Sequence, residues 1–304
     1  MLMPSRHGGT DSAGLGRSAS TPSRAGACLR TFRTNRRLRA VTLLVVLAVV
    51  LVGVLIWGLS MPETAYAPDY SQQSLAPSPE HPFGTDYLGH DMFRRSVRGL
   101  SLSLVIGVVG AVVSGGIALV LGSVSAMVGG WFDRLVLWLV DLFMAVPHMV
   151  LLILVSFAAG GGTTGVVVAV AVSHWPSLTR VIRAEVLRLR ASEFVATSRA
   201  FGKGSAQIAL SHIWPNVLPQ FVVGTILLFP HAILHESALT FLGFGLSLDS
   251  PAIGAILSQS MKYLATGAWW LAFFPGVMLV AVVLLVYALG DELKALADPR
   301  SAQE

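Results

Sequence analysis

Three of the histidines in apolar stretches of the chain, where an ionisable side chain is uncommon, are spaced or flanked in an informative way. His231 and His235 are four residues apart in the stretch 218–239, and His174 lies in the stretch 165–178. On a helix, positions i and i+4 share one face, so the rings of His231 and His235 would point the same way. Imidazole is a good ligand for divalent nickel, copper and zinc. The spacing favours a metal or substrate path along these three histidines, against the alternative of neutral rings hydrogen-bonded between helices.

Asp141 is an acidic residue within another apolar stretch, 135–159. An unpaired acid at the centre of a membrane costs at least about 2.5 kcal/mol, so such a residue is a candidate for function. We favour a structural role for Asp141, in which it pairs with a neighbouring helix or loop while Pro147 kinks its own helix. The methionines on either side of His148 are of the type that fills packing gaps.

Signatures of covalent catalysis and of nucleotide binding are absent from the sequence. There is no Gly-x-Ser-x-Gly elbow for a serine nucleophile, and no Gly-x-x-x-x-Gly-Lys-Ser/Thr loop for a phosphate. Cys28 is the only cysteine, which excludes an internal disulfide. We therefore expect that the chain is not an enzyme and binds no cofactor.

The elements that carry these residues are those of a membrane protein. The chain has 304 residues, of which 54% are hydrophobic and 12% are charged, whereas soluble domains have about 25% charged residues. This composition excludes an ordinary cytosolic enzyme. The formal net charge of +5 comes from arginines beside apolar stretches, where they set membrane orientation, so we expect no nucleic-acid partner.

Six apolar stretches predict six transmembrane helices, because a bilayer crossing takes about 20 residues. The stretches are 41–59, 101–128, 135–159, 165–178, 218–239 and 269–289. The fourth is short, and we expect it to continue as a helix beyond Arg180. The predicted fold class is all-α, a polytopic membrane protein.

Basic residues orient these helices and divide the chain. Eight arginines precede the first helix and six basic residues lie between Arg180 and Lys203, so the positive-inside rule predicts that both termini are cytoplasmic. The predicted segments are a flexible basic arm 1–40, a first transmembrane helix 41–60, an external loop 61–99, a five-helix core 100–290 with a cytoplasmic loop at about 190–216, and a cytoplasmic tail 291–304.

The long cytoplasmic loop has a defined shape. Its pattern predicts two short helices, 192–201 and 205–213, separated by Gly202. Pro215 and Pro219 are expected to end the second helix. A loop of this kind could bind another protein, although a solvated connection has the same charge pattern.

Four blocks of sequence, in order, resemble the permeases of ATP-binding cassette (ABC) importers of the dipeptide, oligopeptide and nickel family. The blocks are 81–91, 193–202 with 212–216, 236–245 and 290–300. The second block resembles the cytoplasmic "EAA" coupling loop of these proteins. Together the resemblance covers about residues 37–300, and the chain is similar to the second, C-type, permease of a pair.

The resemblance implies an ABC importer type I permease fold in the inner membrane, whose last five helices form the translocation core. It implies a second homologous permease, two ATPase subunits that use ATP, and an extracytoplasmic solute-binding protein. The positions matching the ATPase-coupling loop are Glu193, Ala196, Thr197, Ser198, Gly202 and Pro215. Ala196, Thr197 and Ser198 stand where the motif has Glu-Ala-Ala.

The histidines decide the expected solute. The His231/His235 pair and the Ser-His-Trp sequence around His174 resemble the nickel permeases more than the dipeptide ones. Nickel, free or chelated, is therefore the leading substrate, and small peptides are the alternative. An alternative of another class is a secondary transporter or channel, but Asp141 and Glu236 are few acids for an ion-coupled carrier.

Overall fold

The computed structural model describes residues 36–247 and 249–297. Residues Ala40–Glu304 form one compact unit, and the architecture below is that of this unit. Most of the predicted basic arm, and residues 298–304 of the predicted tail, lie outside the described residues.

Regular secondary structure over the described residues is helical. The helices are α1 Arg36–Ser60, α2 Met92–Val128, α3 Gly130–Ala145, α4 His148–Ala158, α5 Gly162–Ser173, α6 Trp175–Arg190, α7 Glu193–Ala200, α8 Ser205–Ile208, α9 Trp214–Phe241, α10 Ile253–Met261 and α11 Trp270–Ala297. A five-residue π-helical stretch, Ala209–Ile213, joins α8 to α9. Single 3₁₀ turns occur at Glu63–Ala65 and Leu264–Thr266.

Among the described residues, five helical segments are long and apolar enough to cross a membrane: Val41–Ser60, Met92–Val128, Gly162–Arg190, Ser205–Phe241 and Trp270–Lys294. A sixth crossing is formed only if α3 and α4, bent by 102° at the break between them, count as one. The predicted all-α fold is confirmed, and the helix predicted over 135–159 is the broken one.

Pro147 causes the break between α3 and α4. Proline has no N–H to donate to the preceding turn, and its ring disfavours helical dihedrals at the residue before it. Val146 accordingly has an extended backbone, with ψ 135°. The predicted kink is thus a complete interruption, which makes His148 the first residue of α4.

The fourth crossing continues beyond Arg180, as predicted, because α6 ends only at Arg190. His174 lies at the junction of α5 and α6. Arg183 of α6 pairs with Asp133 of α3 through two hydrogen bonds of 2.6 Å. A paired arginine of this kind lets α6 extend along α3 with its charge compensated.

The loop predicted to be cytoplasmic contains the two predicted short helices, α7 and α8. Gly202 lies between them with φ 81°, a left-handed conformation that glycine adopts at little cost. The prediction that Pro215 and Pro219 end the second helix is wrong, because α9 begins at Trp214 and contains both prolines. The wider turn of the π-helical stretch ahead of Pro215 accommodates the proline ring and lets the chain stay helical.

Helix α2 lies at the centre of the bundle and packs against α5, α6 and α9. Small residues let these backbones approach closely. A Cβ on Gly110 would lie 2.5 Å from Val170 Cγ1, and one on Gly122 would lie 2.8 Å from the carbonyl oxygen of Thr179. Between membrane helices such close van der Waals packing replaces the hydrophobic effect as a source of association.

Candidate functional site

Three imidazoles meet inside the helix bundle. They belong to His148 at the start of α4, His174 between α5 and α6, and His235 in α9. One nitrogen of each ring lies within 4.8 Å of the other two. We call these residues the histidine cluster.

His174 is the most firmly oriented member of the cluster. Its Nδ1 lies 2.9 Å from the carbonyl oxygen of Val170, which can only accept, so Nδ1 carries the proton and donates it. Its Nε2 is then an acceptor and lies 3.0 Å from Nδ1 of His235. His235 therefore donates to His174, and the Val170 carbonyl fixes which nitrogen of His174 is free.

His148 completes the cluster without a hydrogen bond from its Nε2. Its ring centroid lies 4.7 Å from that of His174 and 4.4 Å from that of His235. Its Nε2 is buried and has no hydrogen-bond partner. The cluster thus contains a buried, unsatisfied nitrogen, which is available to a ligand.

His231 lies one turn before His235 on α9, and the centroids of the two rings are 6.5 Å apart. Its Nδ1 lies 3.1 Å from the Leu227 carbonyl oxygen, and its Nε2 lies 3.1 Å from Tyr287 Oη. His231 therefore lies outside the histidine cluster, and the path along His174, His231 and His235 stays a prediction. Leu227 and Tyr287 engage His231, and the break before α4 brings His148 in its place.

A cavity of about 760 Å³ extends from the histidine cluster along α9. It follows α9 from Gln220 to His235, about 22 Å at 1.5 Å per residue. Its walls are mainly apolar, and its polar lining residues are Gln220, Ser173, Ser177, Lys294 and the four histidines at 148, 174, 231 and 235. The histidines that the sequence singles out therefore all line one cavity, whether or not they belong to the cluster.

Asp141 lies away from this cavity. Its side chain is 64% exposed and pairs with Arg180 of α6. The partner is on a neighbouring helix, as expected for a structural acid. The role itself stays a prediction, since an exposed pair of this kind contributes little stability on its own.

Glu236 follows His235 but does not line the cavity. Its carboxylate is fully buried and accepts hydrogen bonds from Ser237 Oγ at 3.2 Å and Thr240 Oγ1 at 3.1 Å. Thr240 Oγ1 also accepts from the backbone N–H of Leu246 at 3.2 Å. This arrangement fixes the turn after α9 and suits a structural role.

The predicted coupling loop is anchored by buried residues and presents exposed ones. Val195, Ile208 and Ile213 are buried beneath it. The exposed predicted positions are Glu193, Ala196, Thr197, Gly202 and Pro215, and Ser198 is half-buried.

The exposure of two large apolar side chains on this loop was not predicted from the sequence. Phe201 is 82% exposed and Leu210 is 66% exposed. Large apolar groups exposed on one loop are candidates for contact with another protein. The sequence signal for these residues was their position on either side of the Gly202 turn. Composition alone does not show which residues of a loop are exposed.

A second polar network, outside the predicted bilayer, also escaped prediction. Asp86 Oδ2 lies 2.8 Å from His90 Nδ1 and accepts from Arg95 Nη1 at 3.0 Å. Arg95 Nη2 donates to Gln259 Oε1 of α10 at 2.9 Å. Burial opposes ionisation of Asp86, but the hydrogen bonds from His90 and the charge of Arg95 hold the pKa of that carboxyl below its ordinary value. The network ties the external loop to α10.

Comparison with known proteins covers most of the chain. Residues 118–303 match the family described as "Binding-protein-dependent transport system inner membrane component". A Brucella suis protein named "Putative peptide permease protein" is 36% identical over 93% of this chain and 94% of its own length. The dipeptide transport system permease protein DppC of Bacillus subtilis is 30% identical over 79% of this chain and 75% of its own length.

Solved structures support the same fold. A chain from the inward-facing methionine ABC transporter MetNI superposes with a TM-score of 0.57 at 20% sequence identity, covering 68% of this chain and 98% of that one. A second crystal form gives a TM-score of 0.55 at 21% identity. At this level of identity the likeness concerns the fold alone.

Proposed function

This chain belongs to the family of binding-protein-dependent transport system inner membrane components, and we propose that it forms one half of a path for small peptides. It is an ABC importer permease subunit of the peptide family, as the four sequence blocks predicted. It is a non-enzymatic membrane subunit, and ATP is hydrolysed by a separate subunit. Membership of this family removes the secondary transporter and channel interpretations.

The cavity along α9 carries the proposal. Its volume of about 760 Å³ lies within the roughly 300–1,000 Å³ typical of small-ligand sites. Apolar walls suit the varied side chains of peptides, and the ammonium of Lys294 together with the Gln220 amide can bind a peptide carboxylate and amide. The Brucella suis and Bacillus subtilis relatives are named for peptides and dipeptides.

Nickel is the second candidate, and the histidine cluster is the observation that favours it. The expectation that nickel is the leading substrate is not supported, because the reported relatives carry peptide names. Peptide is therefore the preferred substrate class.

The proposed assembly has a second homologous permease, two ATPase subunits and a solute-binding protein. The exposed Phe201 and Leu210 would insert into the ATPase, with the Gly202 turn between them. In this assembly the chain lies in the inner membrane with both termini in the cytoplasm, and it holds no cofactor of its own.

A cavity-filling substitution tests the proposal. Val181 lines the cavity and is 42% exposed, so Val181→Trp should fill part of it without overpacking the core. We expect uptake of a radiolabelled dipeptide by cells to fall at least tenfold. Val222, which is 43% exposed and does not line the cavity, gives the matched control Val222→Trp. Equal uptake by the two variants at equal membrane levels would refute a path through this cavity.

A further inference from the structure

The histidine cluster has the features of a metal site. In a tetrahedral zinc site with Zn–N distances of about 2.05 Å, the ligand nitrogens lie about 3.3 Å apart. His174 Nε2 and His235 Nδ1 are already 3.0 Å apart. All three rings offer nitrogens within 4.8 Å of one another, so a bound ion needs only a small approach of His148.

The unpaired nitrogen of His148 points to a ligand independently. A buried polar atom without a partner is uncommon in folded proteins because its desolvation is uncompensated. The Nε2 of His148 is such an atom. Coordination to a cation would satisfy it.

The surroundings of His174 are those of a metal ligand. Histidines that bind metals usually donate their other N–H to a carbonyl or carboxylate, which fixes the ring and the free nitrogen. The hydrogen bond of 2.9 Å from His174 Nδ1 to the Val170 carbonyl does this. A metal ion would take the place of the proton that His235 shares with His174, and His235 would move its proton to its other nitrogen.

The donor set limits the choice of metal. Three neutral imidazoles suit zinc, copper or nickel, and the absence of carboxylate from the cluster disfavours magnesium and calcium. His148 and His235 are only partly buried and line the cavity. The fourth coordination position is therefore open to the cavity, where water can occupy it.

We propose that His148, His174 and His235 bind one zinc-class divalent ion that inhibits transport. The three ligands lie on α4, at the α5–α6 junction and on α9, so one ion would tie three helical segments together. An ion held by three protein ligands leaves slowly, whereas a transported ion must bind weakly enough to exit. We call the site a lock, because the bound ion stops the transport cycle and is not itself transported. Only its inhibitory effect rests on the proposed function, since binding of the ion does not.

Metal binding is tested first, without transport. The complex purified with its co-purifying subunits is stripped with a chelator and titrated with cobalt(II), whose visible absorption reports tetrahedral coordination. We expect one equivalent per chain in the wild type and a loss of at least tenfold in affinity for His148→Phe. His231→Phe removes a cavity histidine outside the cluster and should keep the signal. No cobalt signal in the wild type, or equal loss in both variants, would overturn the site.

Inhibition is tested separately in proteoliposomes. Peptide uptake is measured with and without micromolar zinc, and the ratio is taken within each variant so that changes in basal uptake cancel. We expect zinc to inhibit the wild type and His231→Phe reversibly, and the inhibitory concentration to rise at least tenfold for His148→Phe. Binding without inhibition would refute the lock while leaving the site. Absence of peptide uptake in zinc-free wild type would count against the peptide function and not against cobalt binding.

Discussion

A buried ring nitrogen without a partner costs free energy, about 1–3 kcal/mol for an unsatisfied group. His148 Nε2 is in this position, while the neighbouring His174 uses both of its nitrogens. The two residues are therefore not equivalent, although both line the same cavity. His148 is the member of the cluster with the clearest need for a ligand.

Asp86 gives a prediction outside the membrane. Asp86→Asn removes the charge that Arg95 faces at 3.0 Å, and we expect the free energy of unfolding to fall by about 1.5–3 kcal/mol. Thermal unfolding of the detergent-purified complex measures the change. The control is Asp69→Asn, an exposed aspartate bonded to Ser71, which should have little effect. Equal effects of the two variants would contradict a special role for the network.

The same residue predicts a pH dependence. Because the pKa of Asp86 is lowered in the folded protein, its contribution is complete above the ordinary aspartate pKa of about 3.9 and is lost as the pH falls through the lower, folded pKa. The difference in melting temperature between wild type and Asp86→Asn should therefore shrink as the pH falls below about 4. A difference that grows in acid would have the wrong sign.

For single residues, the sequence predicted the candidate side chains of the site better than it predicted which side chains they contact. His174 and His235 were identified from their apolar surroundings and from helical spacing, and they do meet. His231 shares the spacing, but Tyr287, from a distant helix, engages it. His148 has no periodic relation to the others, since the chain direction after Pro147 decides where it lies. Contacts between distant helices are not encoded in local spacing.

Among the elements, the cytoplasmic loop depends on one backbone conformation. Gly202 has φ 81°, which a side chain makes costly, and it separates the exposed Phe201 from α8. Gly202→Glu should leave the permease inserted in the membrane but cut co-purification of the ATPase and dipeptide uptake at least tenfold. Gly204, two residues on, has φ −69° and free space around it, so Gly204→Glu is the matched control.

The loop would be a mere connection if Gly202→Glu kept normal ATPase co-purification and normal uptake. A general effect of the added charge would instead make Gly204→Glu as defective as Gly202→Glu. Pull-down of the ATPase from membranes and uptake in the same cells distinguish these outcomes.

The prolines show how well local sequence rules predict where a helix is interrupted. Pro147 was expected to kink its helix and interrupts it, since Val146 before it becomes extended. Pro215 and Pro219 were expected to end a helix and instead lie within one. The π-helical stretch Ala209–Ile213 lies just ahead of Pro215, but Pro230 of α9 and Pro275 of α11 also lie within helices, away from that stretch. Whether a proline breaks or only bends a helix depends on packing, which the local sequence does not specify.

For the whole molecule, the surface is that of a chain surrounded by lipid and partner subunits. Large apolar residues of α1 are exposed, among them Val45, Val49 and Ile56. In water such an apolar surface would cause aggregation, whereas in a bilayer it contacts lipid tails, which are apolar as well. Hydrophobicity therefore predicted five of the six crossings but not the break between α3 and α4, and the sequence blocks sufficed for the family. The solute was not predictable in the same way, because it depends on the cavity and on other subunits.

Membrane topology follows from the distribution of charge. In a Cys28→Ser background, Gln73→Cys in the predicted external loop should react with an impermeant thiol reagent in spheroplasts, where the outer face of the membrane is accessible. Gln207→Cys in the cytoplasmic loop should react only after lysis, because the basic residues from Arg180 to Lys203 hold that loop inside. Both positions are exposed. Labelling of Gln207→Cys without lysis would contradict the six-crossing topology.

The central claim is that this chain forms a peptide path driven by the ATPase of its complex. Its most direct test is uptake by proteoliposomes that contain the purified complex with the solute-binding protein, supplied in parallel with a radiolabelled dipeptide and with radioactive nickel. We predict ATP-dependent accumulation of the dipeptide, at least tenfold above the level without ATP, and no accumulation of nickel. Accumulation of nickel without dipeptide, or dipeptide entry that does not require ATP, would contradict the claim.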